Sequence, residues 1–372
     1  MLSLEPVSLN PEFLPAIELV DRSRLATPPE TVPVPQQRAW FFSRRADFWL
    51  ASAGAALGLL AAGLVVFWHG DRELDALDFV LSEFHLGATY GAVIRRRLWR
   101  QRRVDILLVP FVILALTYVL STCGQTLLLT SITMYAAVWH RGRQSLGVAR
   151  FYQRDAGGPL SRLHACLFRG AIYLPMLASV LAYTHLAPEQ YEGEPYLALS
   201  ADTEITSSVG VVALLWVITY LGWTVWRTRA AGEATRIHPG EWWVTVAHAV
   251  ALGSGYVLGA SNASFLLVLA VHHEVQYLYF TYAMARRSAP LAAKKIVAEG
   301  FRHKRVPAAS CNVSRSEAKL AASFLLWPVI GFVGAVVGSG LEVKWLAPLG
   351  VGGLFCHYWL DGRIWTRQSF QN

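Results

Sequence analysis

Along this chain the apolar residues fall in long runs broken by short polar connections, not in the alternation of a half-buried strand or the stripe of a soluble amphipathic helix. Ten such runs can be drawn, at roughly residues 46–68, 75–94, 104–121, 125–140, 162–185, 204–226, 241–260, 262–284, 318–338 and 343–362. Each is long enough to cross a hydrocarbon core, which takes about 20 helical residues. The fold class this predicts is all-α, a polytopic transmembrane helix bundle of about ten helices within residues 41–367. Residues 1–40 contain Pro6, Pro11, Pro15, Pro28, Pro29, Pro33 and Pro35 and no apolar core of a signal peptide, so they read as a Pro-rich cytoplasmic leader. Residues 285–317 form a basic loop whose 291–305 portion mixes Leu291, Ile296, Val297 and Phe301 with five basic residues, as an interfacial amphipathic helix or an ordinary charged loop would. Residues 368–372 are a short tail.

The polar connections set an orientation. Arg95, Arg96, Arg97, Arg100, Arg102 and Arg103 follow the second run, and Arg141, Arg143, Arg150 and Arg154 follow the fourth. Basic residues beside a span mark its cytoplasmic end. The 187–203 connection is acidic, with Glu189, Glu192, Glu194 and Asp202, and belongs outside. Even-numbered runs therefore point from outside to inside, and both termini are expected in the cytoplasm of a bacterial cell with the bundle in its inner membrane.

Composition agrees. Of 372 residues, 54% are hydrophobic and 16% charged, too little charge for a soluble protein of this length. The net charge of +8 lies in the clusters beside the spans, so it reports topology, and nucleic acid is not an expected partner. Four cysteines, Cys123, Cys166, Cys311 and Cys356, show no paired spacing and read as free thiols.

Candidate chemistry lies inside the runs. Val271 to Phe280 holds His272, His273, Glu274 and Gln276, and ionisable groups at membrane depth mark function by default. His140 is followed four residues later by Gln144, His272 by Gln276, His357 by Asp361 and His85 by Thr89. Residues i and i+4 share a helix face, so each pair sets an imidazole and a second polar group in line, all on like-directed spans. Imidazoles converging from several helices build metal sites in bundles, and a carboxylate alongside suits non-haem iron. The candidate metal ligands are His85, His140, His272, His273 and His357; Glu274, Gln276, Gln144 and Asp361 are the candidate catalytic residues; Glu83 is a further carboxylate. Asp78, Arg95, Arg143, Tyr90, Tyr135, Tyr277 and Tyr279 lie near enough in sequence to orient a substrate, though the tyrosines also read as packing or interface residues. His248 reads more as a structural histidine than a ligand, His164 as interfacial, and His69, His185, His238 and His303 as solvated.

Counting to the first cytoplasmic arginine gives ten residues for His85, thirteen for His273, six for His357 and one for His140, a spread of about 18 Å at 1.5 Å per residue. Straight, untilted helices do not bring all four to one ion. Either the helix of His140 continues past the headgroups with Arg143 turned inward, or the histidines form two layers, or His140 stands apart. The candidates sit in the inner half, which suggests a centre supplied from the cytoplasm.

The combination Trp139-His140-x-x-x-Gln144, His272-His273-x-x-Gln276-Tyr277 and His357-Tyr358-x-x-Asp361-x-x-Ile364-Trp365 resembles a pattern in His-rich bacterial multi-pass membrane proteins of unassigned activity. More broadly the chain is similar to integral-membrane non-haem iron oxygenases and desaturases. The H-x-x-x-H and H-x-x-H-H boxes of the desaturases are absent, His272-His273 being the only adjacent pair, while the dispersed histidines of Brp/Blh-type carotene dioxygenases are the nearer architecture. The resemblance implies iron and a lipid-soluble substrate, with a cytoplasmic electron donor as a possible partner. Three readings stay open: a metal-dependent oxygenase, hydroxylase or desaturase; a proton- or cation-coupled transporter; and a haem- or quinone-binding electron carrier.

Overall fold

The computed structural model describes residues 40–41, 43–68, 71–95, 97–155, 161–191, 194–199, 201–230, 237–300, 326, 329 and 347–364. The leader, the run at 318–338 apart from two residues, and the tail lie outside them. Eleven α-helices are present among the described residues. In chain order they are α1 (Arg44–Ser52), α2 (Gly54–Trp68), α3 (Asp71–Arg95), α4 (Leu98–Gln101), α5 (Val109–Thr122), α6 (Thr126–Asp155), α7 (Arg162–Leu186), α8 (Thr203–Ala230), α9 (Pro239–Gly259), α10 (Leu267–Gly300) and α11 (Ala347–Ile364). A π-helical turn, Val104–Leu108, leads into α5, and a 3-10 turn, Ala263–Leu266, leads into α10. The all-α expectation holds, with one small exception: a two-stranded antiparallel hairpin, β1 (Gln190–Tyr191) and β2 (Glu194–Pro195), in the acidic connection.

Helix boundaries follow local chemistry. Ser161 caps α7 by accepting from the His164 N–H at 3.1 Å. His238 caps α9, its Nδ1 accepting from Gly240 N–H at 3.0 Å, with Pro239 in the first turn, where its missing N–H is harmless. Gly124, at φ +71, makes the left-handed residue of the turn between α5 and α6 that only glycine adopts without strain. The first apolar run is not one span: it breaks at Ala53 into α1 and α2.

By length and apolarity, three described helical segments suffice to cross a membrane, Val104–Thr122, Arg162–Leu186 and Thr203–Ala230, with Gly54–Phe67 shorter. This is fewer than the ten spans read from the sequence, because several of the other helices carry the polar residues of the interior. α8 leaves Val211, Val212, Leu214, Leu215 and Ile218 exposed. By contrast, α10 is buried continuously from Leu267 to Glu274 and is the central helix. α2 approaches it closely: a Cβ added at Gly54 would sit 2.9 Å from His272 Cα, and one at Gly58 2.7 Å from Val268 Cα. Small residues on one face let two backbones meet and gain dispersion contact without a side chain between them.

Candidate metal centre

Four helices, α3, α6, α10 and α11, each bring one histidine to a common point. His85, His140, His273 and His357 are all buried, and one ligating nitrogen from each lies within 4.8 Å of the others. Nitrogens about 2.1 Å from a shared ion lie at most about 4.2 Å apart, so side-chain adjustment of under an ångström closes the set. These four buried histidines can hold a metal ion. His85 Nε2 and His357 Nε2 already point at each other, 2.6 Å apart. His85 Nδ1, His140 Nε2 and His273 Nδ1 are buried without a hydrogen-bond partner, an arrangement costly for polar atoms unless something else satisfies them.

One helical turn further along each helix lies a second polar layer, made by Thr89, Gln144, Tyr277 and Asp361, the i+4 neighbours of the four histidines. Thr89 Oγ1 lies 2.8 Å from His357 Nδ1 and donates to Asp361 Oδ1 at 3.0 Å; Tyr277 donates to the same oxygen at 2.6 Å. With the Thr89 proton on Asp361, the His357 Nδ1–H donates to Thr89. That fixes the tautomer leaving His357 Nε2 as the lone pair facing its neighbours, the usual work of partners behind a ligand. Asp361 Oδ2 lies 3.6 Å from both His140 Nε2 and His357 Nε2, so the carboxylate borders the cluster. Gln144 donates to the His273 carbonyl at 2.8 Å and to Gln276 Oε1 at 3.3 Å, and Ser145 also donates to Gln276. These bonds pin α6 to α10 in register.

On the other side of the histidines is a cavity of about 440 Å³. Its floor carries the four histidines with Glu274, Arg141 and Tyr358; its walls include Leu86, Ala137, Leu269, Ala270 and Leu354; at the far end lie Tyr191, Ala263 and Ser264. None of the second-layer residues lines it. The cavity thus leads from the cluster toward the hairpin and the α9–α10 turn, the acidic end. The basic end, from which a cytoplasmic supply was expected, is where the second layer lies.

The depth conflict over His140 is resolved by α6, which continues unbroken through Asp155, so Arg141 marks no helix end. Arg143 is exposed, while Arg141 is the arginine turned inward, its Nη1 donating to Tyr256 at 3.1 Å. His272 does not join the group. One residue from His273, it faces α2 and α9 beside Gly54 and His248, buried, with neither ring nitrogen hydrogen-bonded. The pairing of His272 with Gln276 is accordingly replaced by His273 with Tyr277. Glu274 accepts from Ser82 at 3.2 Å and lies 3.9 Å from His85 Nδ1. Gln276 and Gln144 bind the helices together and do not reach the cavity. Glu83 neither lines the cavity nor joins the group.

Other candidates have structural roles. His164 is not interfacial: its Nε2 pairs with Glu241 at 2.7 Å, and Tyr220 donates to the same oxygen. His238 is buried, not solvated, packed between Trp40 and Tyr152. His248 Nε2 lies 3.3 Å from the Ile172 carbonyl oxygen. Tyr135 donates to Leu197 O and Tyr90 to Gly353 O; Tyr279 donates to Asp47, a fully buried carboxylate that the sequence reading passed over and that also accepts from Phe41 N–H and Tyr152. The side chains of Asp78 and Arg95, together with His69 and His303, lie outside the described residues. Cys123, Cys166 and Cys356 are free thiols.

No family model, curated protein or solved structure matches the chain.

Proposed function

We propose that the protein is a membrane-embedded, metal-dependent oxidoreductase, with a non-haem iron held by His85, His140, His273 and His357, acting on a lipid-soluble substrate. The observation that carries this reading is a buried four-histidine layer, bordered by a carboxylate, at the floor of a cavity of ligand size. Imidazole suits iron, zinc and copper alike, and the adjoining carboxylate of Asp361 favours iron among them. When bound, iron supplies the activation of dioxygen. The chain's own residues then divide the remaining work: Thr89 and Tyr277 orient His357 and Asp361, Glu274 sits where it can accept a proton at the cavity edge, and Leu86, Leu269 and Leu354 exclude water and hold an apolar substrate by shape. The second polar layer behind the histidines weighs against a transport path through this point.

The test is metal identification by plasma emission on detergent-purified protein, with dioxygen uptake measured in the presence of a membrane lipid extract. Iron together with uptake that disappears in His85→Ala and His357→Ala is expected. Zinc with no uptake would overturn the oxidoreductase reading and leave a structural or hydrolytic site.

A further inference from the structure

The sequence offers Arg97, Arg100 and Arg103 as topology charges, and the structure sets them at the head of an apolar face. Val104–Thr122 is one of the three described segments long and apolar enough to cross a membrane, and the arginines immediately precede it. Their stretch of chain is packed in place: Leu98 of α4 and Ile106 of the π-helical turn bury themselves with Leu360 and Ile364 of α11. Arg97, Arg100 and Arg103 are left on the outside, each exposed. Arg100 lies over the ring of exposed Trp99, 4.9 Å from its centre.

From Arg103 a shallow groove runs along the span, lined by Arg103, Val104, Leu107, Leu108 and Phe111, and its four apolar side chains are between 54% and 68% exposed. Positions 103, 107 and 111 repeat at the i, i+4 spacing that shares one helix face, which puts the cation and the apolar side chains in line. Among the described residues no carboxylate pairs with Arg97, Arg100 or Arg103. The nearest acid in sequence, Asp105, lies 3.7 Å from Arg363, and Arg102 donates to the Arg363 carbonyl at 3.1 Å. A topology charge needs only to lie beside a span. Here cations head an exposed groove of hydrocarbon, and the two halves together match one kind of molecule. A guanidinium fits a phosphate through parallel charge-assisted hydrogen bonds, basic clusters beside a span attract anionic lipid, and the groove below suits an acyl chain.

We propose that this face binds an anionic phospholipid, its phosphate on Arg103 with Arg100 and Arg97 alongside, and one acyl chain along Val104, Leu107, Leu108 and Phe111. The site is separate from the histidine cluster, since none of these residues lines the cavity. It adjoins the helix that carries His357 and Asp361: Cys356 Sγ donates to the Pro110 carbonyl at 3.4 Å and Trp359 Nε1 to the Asp105 carbonyl at 2.8 Å. A lipid held here braces the segment on which α11 is seated.

The experiment uses the full chain in nanodiscs of equal parts phosphatidylglycerol and phosphatidylcholine, with a photoreactive acyl chain carried by each lipid in turn and adducts located by mass spectrometry. Phosphatidylglycerol is expected to label Val104–Phe111 about fivefold or more above phosphatidylcholine, while the exposed face of α8 from Val211 to Ile218 takes both lipids equally. The excess should disappear when Arg100→Gln and Arg103→Gln are combined and persist when Arg100→Lys and Arg103→Lys are combined. Equal labelling of Val104–Phe111 by the two lipids in the wild type overturns the proposal and leaves ordinary boundary lipid. An excess undiminished in the double glutamine variant overturns it as well, as does an absence of lipid adducts on that segment, the result a second copy covering the face would give. Loss of the excess on adding glycerol phosphate at matched ionic strength overturns the lipid and leaves a free-phosphate site. Should the double glutamine variant fail to fold, the wild-type excess at Val104–Phe111 over that at the α8 face decides alone.

Discussion

His272 and His273 differ by one position and therefore by about 100° around the helix, and that rotation decides which one joins the cluster. Nothing in the sequence around them fixes the phase, because α10 is buried on every face from Leu267 to Glu274 and hydrophobic periodicity has no exposed side against which to register. The neighbours settle it: Gly54 brings α2 against His272, while Ser82, His85 and Tyr277 mark the face shared with α3 and α11. Tyr277 looked like packing for the same reason, and its hydroxyl is instead the donor that holds Asp361 at 2.6 Å. Removing that donor by Tyr277→Phe, or the Thr89 hydroxyl by Thr89→Ala, is expected to weaken metal affinity by roughly 10–100-fold without emptying the site, as loss of an outer partner commonly does; competition against a chelator of known affinity measures it. His164 and Glu241 form a separate buried pair at 2.7 Å. Replacing His164 by Ala leaves the carboxylate without that partner and should cost about 3–5 kcal/mol, read as a lowered unfolding midpoint with metal content per folded protein unchanged.

The helices were legible where apolar runs have clear polar ends: α7, α8 and α9 begin and end within a few residues of the expected spans. They were least legible where charge was taken for a boundary. Arg141 looked like the end of the fourth span, but one arginine with a buried hydrogen-bond partner does not stop a helix, and α6 extends a further four turns' worth of chain to Asp155. The break at Ala53 and the glycines of α2 were equally silent, since Gly54, Gly58 and Gly63 look alike in an apolar run. Their surroundings differ: an added Cβ at Gly58 meets Val268 Cα at 2.7 Å, whereas one at Gly63 meets nothing within 4 Å. Gly58→Leu should therefore force α2 off α10 and destabilise by about 1–3 kcal/mol, the usual cost of overpacking. Gly63→Ala should be neutral or slightly stabilising, since alanine gains up to about 1 kcal/mol over glycine in a helix. Thermal unfolding of the two variants in the same detergent compares them.

Four like-directed helices, each with histidine followed at i+4 by a polar residue, assemble into two stacked layers: imidazoles facing a cavity, and hydroxyl, amide and carboxylate groups behind them. That stacking is the link from sequence spacing to chemistry, and it was half visible, since three of the four pairs, His85 with Thr89, His140 with Gln144 and His357 with Asp361, stand in the sequence as they stand in the structure. What the spacing does not carry is where the cavity opens, because that depends on the hairpin and on the turn holding Ala263 and Ser264. If the acidic connection is external, Ala263→Cys, exposed at that turn, should react with a membrane-impermeant maleimide added outside intact cells in a chain whose four native cysteines are replaced by serine, and reaction only after permeabilisation would reverse the orientation. The proposed centre places one metal ion among His85, His140, His273 and His357 and leaves His272 out of it. Metal content per chain of the five single alanine variants tests this placement: the first four are expected to lose the ion and His272→Ala to keep it in full. Retention of the ion by His140→Ala or His273→Ala together with its loss in His272→Ala would contradict it.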